Sequence, residues 1–208
     1  MKTLYSLSFA VIISFLSATA FSQSYCGTDR YDKEFFSNYI SNIDVVYGQA
    51  KNFYNQNIIL KMDIYQPSGD TLPMRPLIIW VHGGSFIGGD KMNGSDVVDL
   101  ARKFAKRGYV TASINYRLYY LPLNSDVQAK KAVMRAVQDL KAAIRFFRKD
   151  SYTTNTYKID TNNIFIGGSS AGAFTALHLA YLDTDAEFAA EIDTTGLGGL
   201  EGISGNPG

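Results

Sequence analysis

Ser170 is the residue of this sequence best suited to chemistry. It is the middle residue of GSSAG, which runs from Gly168 to Gly172 and matches the pattern G-x-S-x-G. That pattern requires a strand before it and a helix after it, because a sharp strand-to-helix turn exposes the serine hydroxyl. A short apolar run (NIFI), which predicts a buried strand, precedes the motif, and an apolar helical pattern follows it. The motif therefore predicts a nucleophilic serine that forms a covalent acyl intermediate, with Gly168 and Gly172 as structural residues of the turn.

Two adjacent serines, Ser169 and Ser170, could fill this role. Only Ser170 has glycine both two residues before it and two residues after it, whereas Ser169 has Gly167 and Ala171 at those positions. Side chains at the flanking positions would keep strand and helix apart. We therefore predict Ser170 as the nucleophile, and the alternative is a glycine turn that serves only packing.

A second glycine-rich motif, HGGSF, begins at His82 directly after the apolar run LIIWV. Acyl transfer forms a tetrahedral oxyanion, and small residues allow backbone N–H groups to converge on it. We predict that Gly84 and Ser85 donate two such groups and that Ala171, which follows the nucleophile, donates a third. Gly83 would be a structural member of this loop. A plain glycine turn is the alternative.

These motifs, in this order, resemble those of serine carboxylesterases of the α/β-hydrolase superfamily, and they are also similar to exported bacterial esterases of the feruloyl-esterase-like kind. The resemblance covers residues 44–208 and rests on HGGSFIGGD from His82, NYRL from Asn115, VQDLKAAIRFFRK from Val137 and IFIGGSSAGA from Ile164. It implies hydrolysis of carboxylic esters, with His82 as a structural residue and not a base. Within NYRL, Arg117 is expected to pair with Asp139, and isolated surface charges are the alternative.

No histidine in this sequence is well placed to activate Ser170. The sequence contains two histidines, His82 and His178, and the superfamily order is Ser, then Asp or Glu, then His. His178 follows Ser170 on the same predicted helix, about 12 Å along its axis, whereas a general base must lie within about 3 Å. We therefore interpret His178 as a helix residue and expect the catalytic acid and histidine beyond Gly208. The chain thus looks like an N-terminal fragment, which alone would leave an unpaired sheet edge and be inactive.

Strands and helices alternate along the chain. Strands are predicted at 44–47, 57–65, 77–81, 109–116 and 163–166, and helices at 95–107, 126–149 and 171–182. This order predicts an α/β fold with a mostly parallel sheet and helices on both faces, and the resemblance makes it an α/β-hydrolase fold that lacks its C-terminal strands.

The longest predicted helix has polar side chains away from its apolar face. We interpret them as a solvated surface and not as a polyanion-binding stripe. They are Lys130, Lys131, Arg135, Gln138, Lys141, Arg145 and Arg148.

The N-terminus has the pattern of a signal peptide, with a basic Lys2, an apolar run and small residues before Gln23. We expect residues 1–22 to be removed by cleavage after Ser22, with cleavage after Ala20 as the other option, and residues 23–208 to form one incomplete hydrolase domain, either secreted or periplasmic. An uncleaved membrane anchor is the alternative. Cys26 is the single cysteine, and it is either unpaired or bonded to a cysteine beyond this sequence.

Charge and residue spacing limit the classes of ligand and partner that this chain is expected to bind. The formal charge of +1 is dispersed along the chain, so neither nucleic acid nor an anionic membrane is expected. No metal or cofactor is expected, because neither histidine lies near other ligands at metal-binding spacing. The expected substrate is a small-molecule or polysaccharide-linked ester. A serine peptidase on the same fold, or a non-catalytic binding module if the later acid and histidine are absent, are the alternatives.

Overall fold

A computed structural model describes residues 29–92, 97–119, 123–187 and 198–205. Within these residues the elements are β1 (Tyr39–Lys51), β2 (Asn57–Pro67), β3 (Arg75–Val81), α1 (Val98–Lys106), β4 (Val110–Ile114), α2 (Asp126–Tyr152), β5 (Ile159–Gly168), α3 (Ala171–Tyr181) and a 3₁₀ turn (Asp185–Glu187). Each predicted strand and helix is present, with shifted ends. The proposed signal peptide, Cys26 and the start predicted for α1 at Ser95 lie outside the described residues.

The five described strands form one sheet in the order β1-β2-β4-β3-β5. Strand β2 is antiparallel to both of its neighbours, while β3 is parallel to β4 and to β5. Four of the five strands therefore run in the same direction. In the register between β3 and β5, Val81 lies opposite Gly168, so the two glycine-rich motifs leave the sheet side by side.

Strand β3 is buried on both faces, as its continuous apolar run predicts. Leu77 and Ile79 pack in the main core with Leu140 of α2, whereas Trp80 packs with Ala101 of α1. Because alternate residues of a strand point to opposite faces, the helices cover both sides of the sheet. The predicted α/β-hydrolase architecture is confirmed. Among the described residues, no helix combines the length and apolarity needed to cross a membrane.

Three details of the prediction were wrong. Strand β1 extends far beyond the predicted 44–47 and contains a register shift beside Asp44, whose φ is +59°. Strand β5 was expected to be buried, but it is the edge of the described sheet and Phe165 is 51% exposed. The polar face of α2 was expected to be solvated, yet Arg135 and Gln138 are buried.

The predicted pair between Arg117 and Asp139 is present and fully buried. Arg117 Nη2 lies 2.8 Å from Asp139 Oδ1, and the backbone N–H of Arg117 donates to Asp139 Oδ2 at 2.8 Å. Ser204, from the segment at residues 198–205, donates its hydroxyl to Asp139 Oδ1 at 2.7 Å. This pair therefore ties the chain after β4, helix α2 and the C-terminal segment together.

Candidate functional site

Ser170 occupies a sharp turn between β5 and α3. The strand ends at Gly168 and the helix begins at Ala171, so Ser170 is the residue that caps the helix. Its φ of +49° and ψ of −115° lie in a region that side chains rarely adopt, at a cost of about 1–3 kcal/mol. The sharp turn predicted for this serine is therefore observed, and Ser170 is exposed at the surface of the described chain.

The glycines that flank Ser170 have no room for a side chain. A Cβ on Gly172 would lie 2.0 Å from the carbonyl oxygen of Val81, and one on Gly168 would lie 2.3 Å from the carbonyl carbon of Gly172. Both contacts are with backbone atoms, which cannot rotate away as a side chain can. Helix α3 thus lies directly against the ends of β3 and β5, and this close approach requires glycine at both positions.

The HGGSF loop lies beside this turn. A Cβ on Gly83 would lie 3.3 Å from Ser170 Cβ, so the structure brings the two motifs into contact. Gly84 has a φ of +117°, and Ser85 also has a positive φ, of +53°. The carbonyl oxygen of Gly84 accepts hydrogen bonds from the N–H groups of residues 87 and 88, both at 3.0 Å. The loop is therefore a tight, strained turn next to the exposed serine.

The three predicted oxyanion donors are placed where their N–H groups remain available. Among the described residues, no backbone carbonyl accepts a hydrogen bond from the N–H of Gly84 or Ser85, and both residues are exposed. Ala171 is the first residue of α3, and the first N–H groups of a helix have no acceptor within it. A helix N-terminus also carries partial positive charge, which favours a nearby anion.

His82 is buried in the loop. Its ring stacks on Tyr116, with centroids 4.5 Å apart, and its Nδ1 lies 2.6 Å from the carbonyl oxygen of Gly83. Tyr116 donates its hydroxyl to the carbonyl oxygen of His82 at 3.1 Å, and burial raises the pKa of this phenol, which keeps it a donor. These contacts place His82 within the loop structure.

His178 lies on α3, two turns after Ser170. Its Nδ1 is 2.8 Å from the carbonyl oxygen of Phe174 on the same helix. Within the described residues there is no cluster of three or more His, Cys, Asp or Glu side chains that could hold a metal ion. Cavities of 390 and 210 Å³ are lined by other parts of the chain and contain none of the candidate site residues. Ser170 itself is exposed at the surface of the described residues.

Two residues near the site were missed by sequence reasoning. Tyr116 stacks on His82, and Lys91, just after the loop, is almost completely buried. A sequence signal existed for Tyr116, because it lies within NYRL, directly before Arg117, the residue predicted to pair with Asp139. For Lys91 no local signal existed, because lysine is among the residues most often found at the surface.

The strand-turn-helix around Ser170 and the mixed sheet with helices on both faces define an α/β-hydrolase. Comparison with known families agrees, since the BD-FAE family model matches residues 62–198, more than half of the chain. The chain belongs to the BD-FAE family. The resemblance to serine carboxylesterases of the α/β-hydrolase superfamily is thereby confirmed.

Individual relatives carry esterase names. A "Probable isoprenylcysteine alpha-carbonyl methylesterase" of Oryza sativa subsp. japonica is 30% identical over 82% of this chain and 36% of its own length. "Gut esterase 1" of Caenorhabditis elegans is 30% identical over 50% of this chain and 18% of its own length. The structure of "Thermogutta terrifontis esterase 2 phosphorylated by paraoxon" is 26% identical, with a TM-score of 0.50, over 74% of this chain and 52% of that one. The chain therefore spans only part of each relative.

Proposed function

We propose that the whole protein is an exported serine esterase that hydrolyses carboxylic esters through an acyl-enzyme on Ser170. The observation that carries this proposal is the position of Ser170: an exposed serine with strained backbone, at the start of α3 and beside the HGGSF loop. A strained backbone at an exposed serine is unfavourable for folding. A role in presenting the hydroxyl to a substrate explains why this conformation is kept.

The proposed reaction has two steps. Ser170 Oγ attacks the ester carbonyl carbon, its proton passes to a general base, and the alcohol leaves with a proton from that base. Water then attacks the acyl-enzyme, and the acid is released as Ser170 regains its proton. In both steps the tetrahedral oxyanion accepts hydrogen bonds from the N–H groups of Gly84, Ser85 and Ala171.

The general base is proposed to be a histidine, oriented by an acidic residue, in polypeptide beyond Gly208. His82 is held by Tyr116 and Gly83, and His178 points to the carbonyl oxygen of its own helix, so neither serves this role in the proposal. The names of the relatives support an esterase, and one of them is a protein that reacts with paraoxon, a reagent that phosphorylates activated nucleophiles.

The proposed substrate is a small-molecule ester or an ester linked to a polysaccharide, in keeping with export from the cell. Aromatic or acetyl esters of plant polysaccharides are the candidates that the resemblance offers. Export itself is tested by sequencing the N-terminus of protein recovered outside the cytoplasm, which should begin at Gln23, or at Phe21 if cleavage follows Ala20.

Parallel assays separate the esterase from a peptidase on the same fold. The full-length protein is expected to hydrolyse a short-chain nitrophenyl ester at least about 100-fold faster than a peptide anilide, because the ester has the better leaving group and the more electrophilic carbonyl. The 208-residue chain serves as a second sample and is expected to be inactive. Its edge strand exposes Phe165, and α3 exposes Phe174, Leu177 and Tyr181. Faster cleavage of the anilide would favour a peptidase, and hydrolysis of neither substrate would favour a binding module.

A further inference from the structure

The segment that follows the HGGSF loop, residues 90–92, is held by a buried ion pair. The Lys91 side chain is 4% exposed, and its Nζ lies 2.8 Å from Asp63 Oδ1 on β2, a residue that is completely buried. A second carboxylate, that of Asp44 on β1, lies 3.0 Å from the same Nζ. Lysine is almost never buried without such partners.

The backbone of this segment is held as well, by strand β4. The Ser113 hydroxyl donates to the carbonyl oxygen of Lys91 at 2.7 Å, and the Lys91 N–H donates to the side-chain oxygen of Asn115. The amide of Asn115 in turn donates to Asp90 Oδ2 at 2.7 Å. Residues 90–92 are thus fixed to three strands of the sheet, β1, β2 and β4.

The fixed segment lies against the beginning of the loop. Gly89 immediately precedes it, and a Cβ on Gly89 would lie 2.5 Å from both His82 Nδ1 and the carbonyl oxygen of Gly83. Between these touching ends lie Gly84 and Ser85, the proposed oxyanion donors. A displacement of residues 90–92 therefore moves Gly89, and with it the part of the loop that faces Ser170.

The charge of Lys91 is retained in this setting. Burial by itself would lower the pKa of the Lys91 ammonium, but the hydrogen bonds to Asp63 and Asp44 outweigh burial and raise it above its ordinary value. A buried ion pair adds little stability compared with apolar residues of the same size. A role in fixing geometry explains its presence better than stability does.

We propose that Lys91 and Asp63 form a positioning pair that holds the HGGSF loop with the N–H groups of Gly84 and Ser85 directed at the substrate oxyanion. This inference rests on the proposed function and deepens it. Lys91 does not touch the substrate, and it acts on the rate through the placement of the loop.

The test compares Lys91→Met with Lys61→Met in the full-length protein. Lys61 also approaches Asp44, at 3.4 Å, but its side chain is 42% exposed and, among the described residues, forms no ion pair or hydrogen bond with residues 82–92, so it is the matched control. Lys91→Met is expected to lower kcat for a nitrophenyl ester about 100-fold with KM changed by less than about threefold, because a misplaced oxyanion hole acts on the transition state. Lys91→Arg, which restores the charge, should recover part of kcat, and Lys61→Met should match the parent.

If Lys91→Met does not fold, a variant with a smaller structural change can test the same positioning role. Ser113→Ala removes one hydrogen bond to the Lys91 carbonyl, and we expect kcat to fall about fivefold. The positioning role is overturned if folded Lys91→Met, or Ser113→Ala in its place, has the kcat of the parent while only the melting temperature changes.

A second readout does not depend on activity. The N–H groups of Ile87 and Gly88 donate to the Gly84 carbonyl and report on the closed loop. Their hydrogen exchange should be at least about tenfold faster in Lys91→Met, or in Ser113→Ala, than in Lys61→Met, since a loosened loop opens more often. If the parent protein hydrolyses no ester, the proposed function fails, but the exchange experiment still tests the positioning pair. Equal exchange rates in Lys91→Met and Lys61→Met would refute that pair.

Discussion

Replacement of Ser170 by alanine is expected to lower kcat for a nitrophenyl ester about 10⁶-fold in the full-length protein, the loss typical when a serine nucleophile is removed. The fold should be retained, because Ser170 is exposed and its side chain makes no helix-capping hydrogen bond. The positive φ at this position is as unfavourable for alanine as for serine, so backbone strain does not change. Steady-state kinetics and a thermal melt of the same sample measure both outcomes.

Ser169→Ala is the matched control for this prediction. Ser169 is the adjacent serine, and its backbone carbonyl accepts a hydrogen bond from Gly172 at 2.8 Å, a contact that alanine retains. Its activity should remain within about tenfold of the parent, in line with a residue that takes no part in bond formation. The reverse result, an inactive Ser169→Ala and an active Ser170→Ala, would refute the choice between the two serines.

Removal of the Arg117 charge is expected to destabilise the protein by about 3–5 kcal/mol, the usual cost of leaving one half of a buried ion pair without its partner. The side chains of Arg117 and Asp139 are 2% and 0% exposed, so water cannot solvate the carboxylate that remains. Denaturant unfolding of Arg117→Met against the parent measures the free energy of unfolding.

Two further variants identify the cause of this loss. The double variant Arg117→Met with Asp139→Leu should recover much of the stability, because it removes the uncompensated charge along with its partner. Lys33→Met, which breaks the exposed pair with Asp29, should leave the unfolding midpoint unchanged. An Arg117→Met variant as stable as Lys33→Met would contradict the account.

Most of the fold could be predicted because its signals are local. A continuous apolar run predicts β3, and apolar residues that alternate with charged ones in NIILKMDIY predict β2. Apolar residues spaced alternately four and three positions apart predict α2. The motif glycines predicted the turn at Ser170 because only glycine permits backbones to approach so closely, and the contacts of Gly168 and Gly172 agree with that reason.

The errors have non-local causes. Gln138 is buried because residues 198–205 pack on α2, and its side chain donates to the carbonyl oxygen of Gly199 at 2.6 Å. No periodicity in α2 could reveal a partner so distant in sequence. Lys91 is buried for the same reason, since its carboxylate partners lie on β1 and β2. The apolar run NIFI predicts a buried strand, but the exposure of Phe165 depends on whether another strand lies beside β5, and the run itself carries no signal for that.

The two histidines show how a site can be only partly predictable. Both were interpreted as structural, and the structure gives the contacts that hold each of them: Tyr116 and Gly83 for His82, and the Phe174 carbonyl for His178. The roles of Ser170 and of the oxyanion donors remain predictions, because the general base on which they depend is itself a prediction.

The central claim, that Ser170 is the activated nucleophile, is tested most directly by mass spectrometry of the full-length protein after incubation with paraoxon. An activated serine attacks phosphorus and displaces 4-nitrophenolate, which leaves one diethyl phosphate on the enzyme. The account predicts a single adduct on the peptide that contains Ser170, loss of esterase activity in step with its formation, and no adduct in Ser170→Ala. Inactivation with the adduct on another residue, or continued labelling of Ser170→Ala, would contradict it.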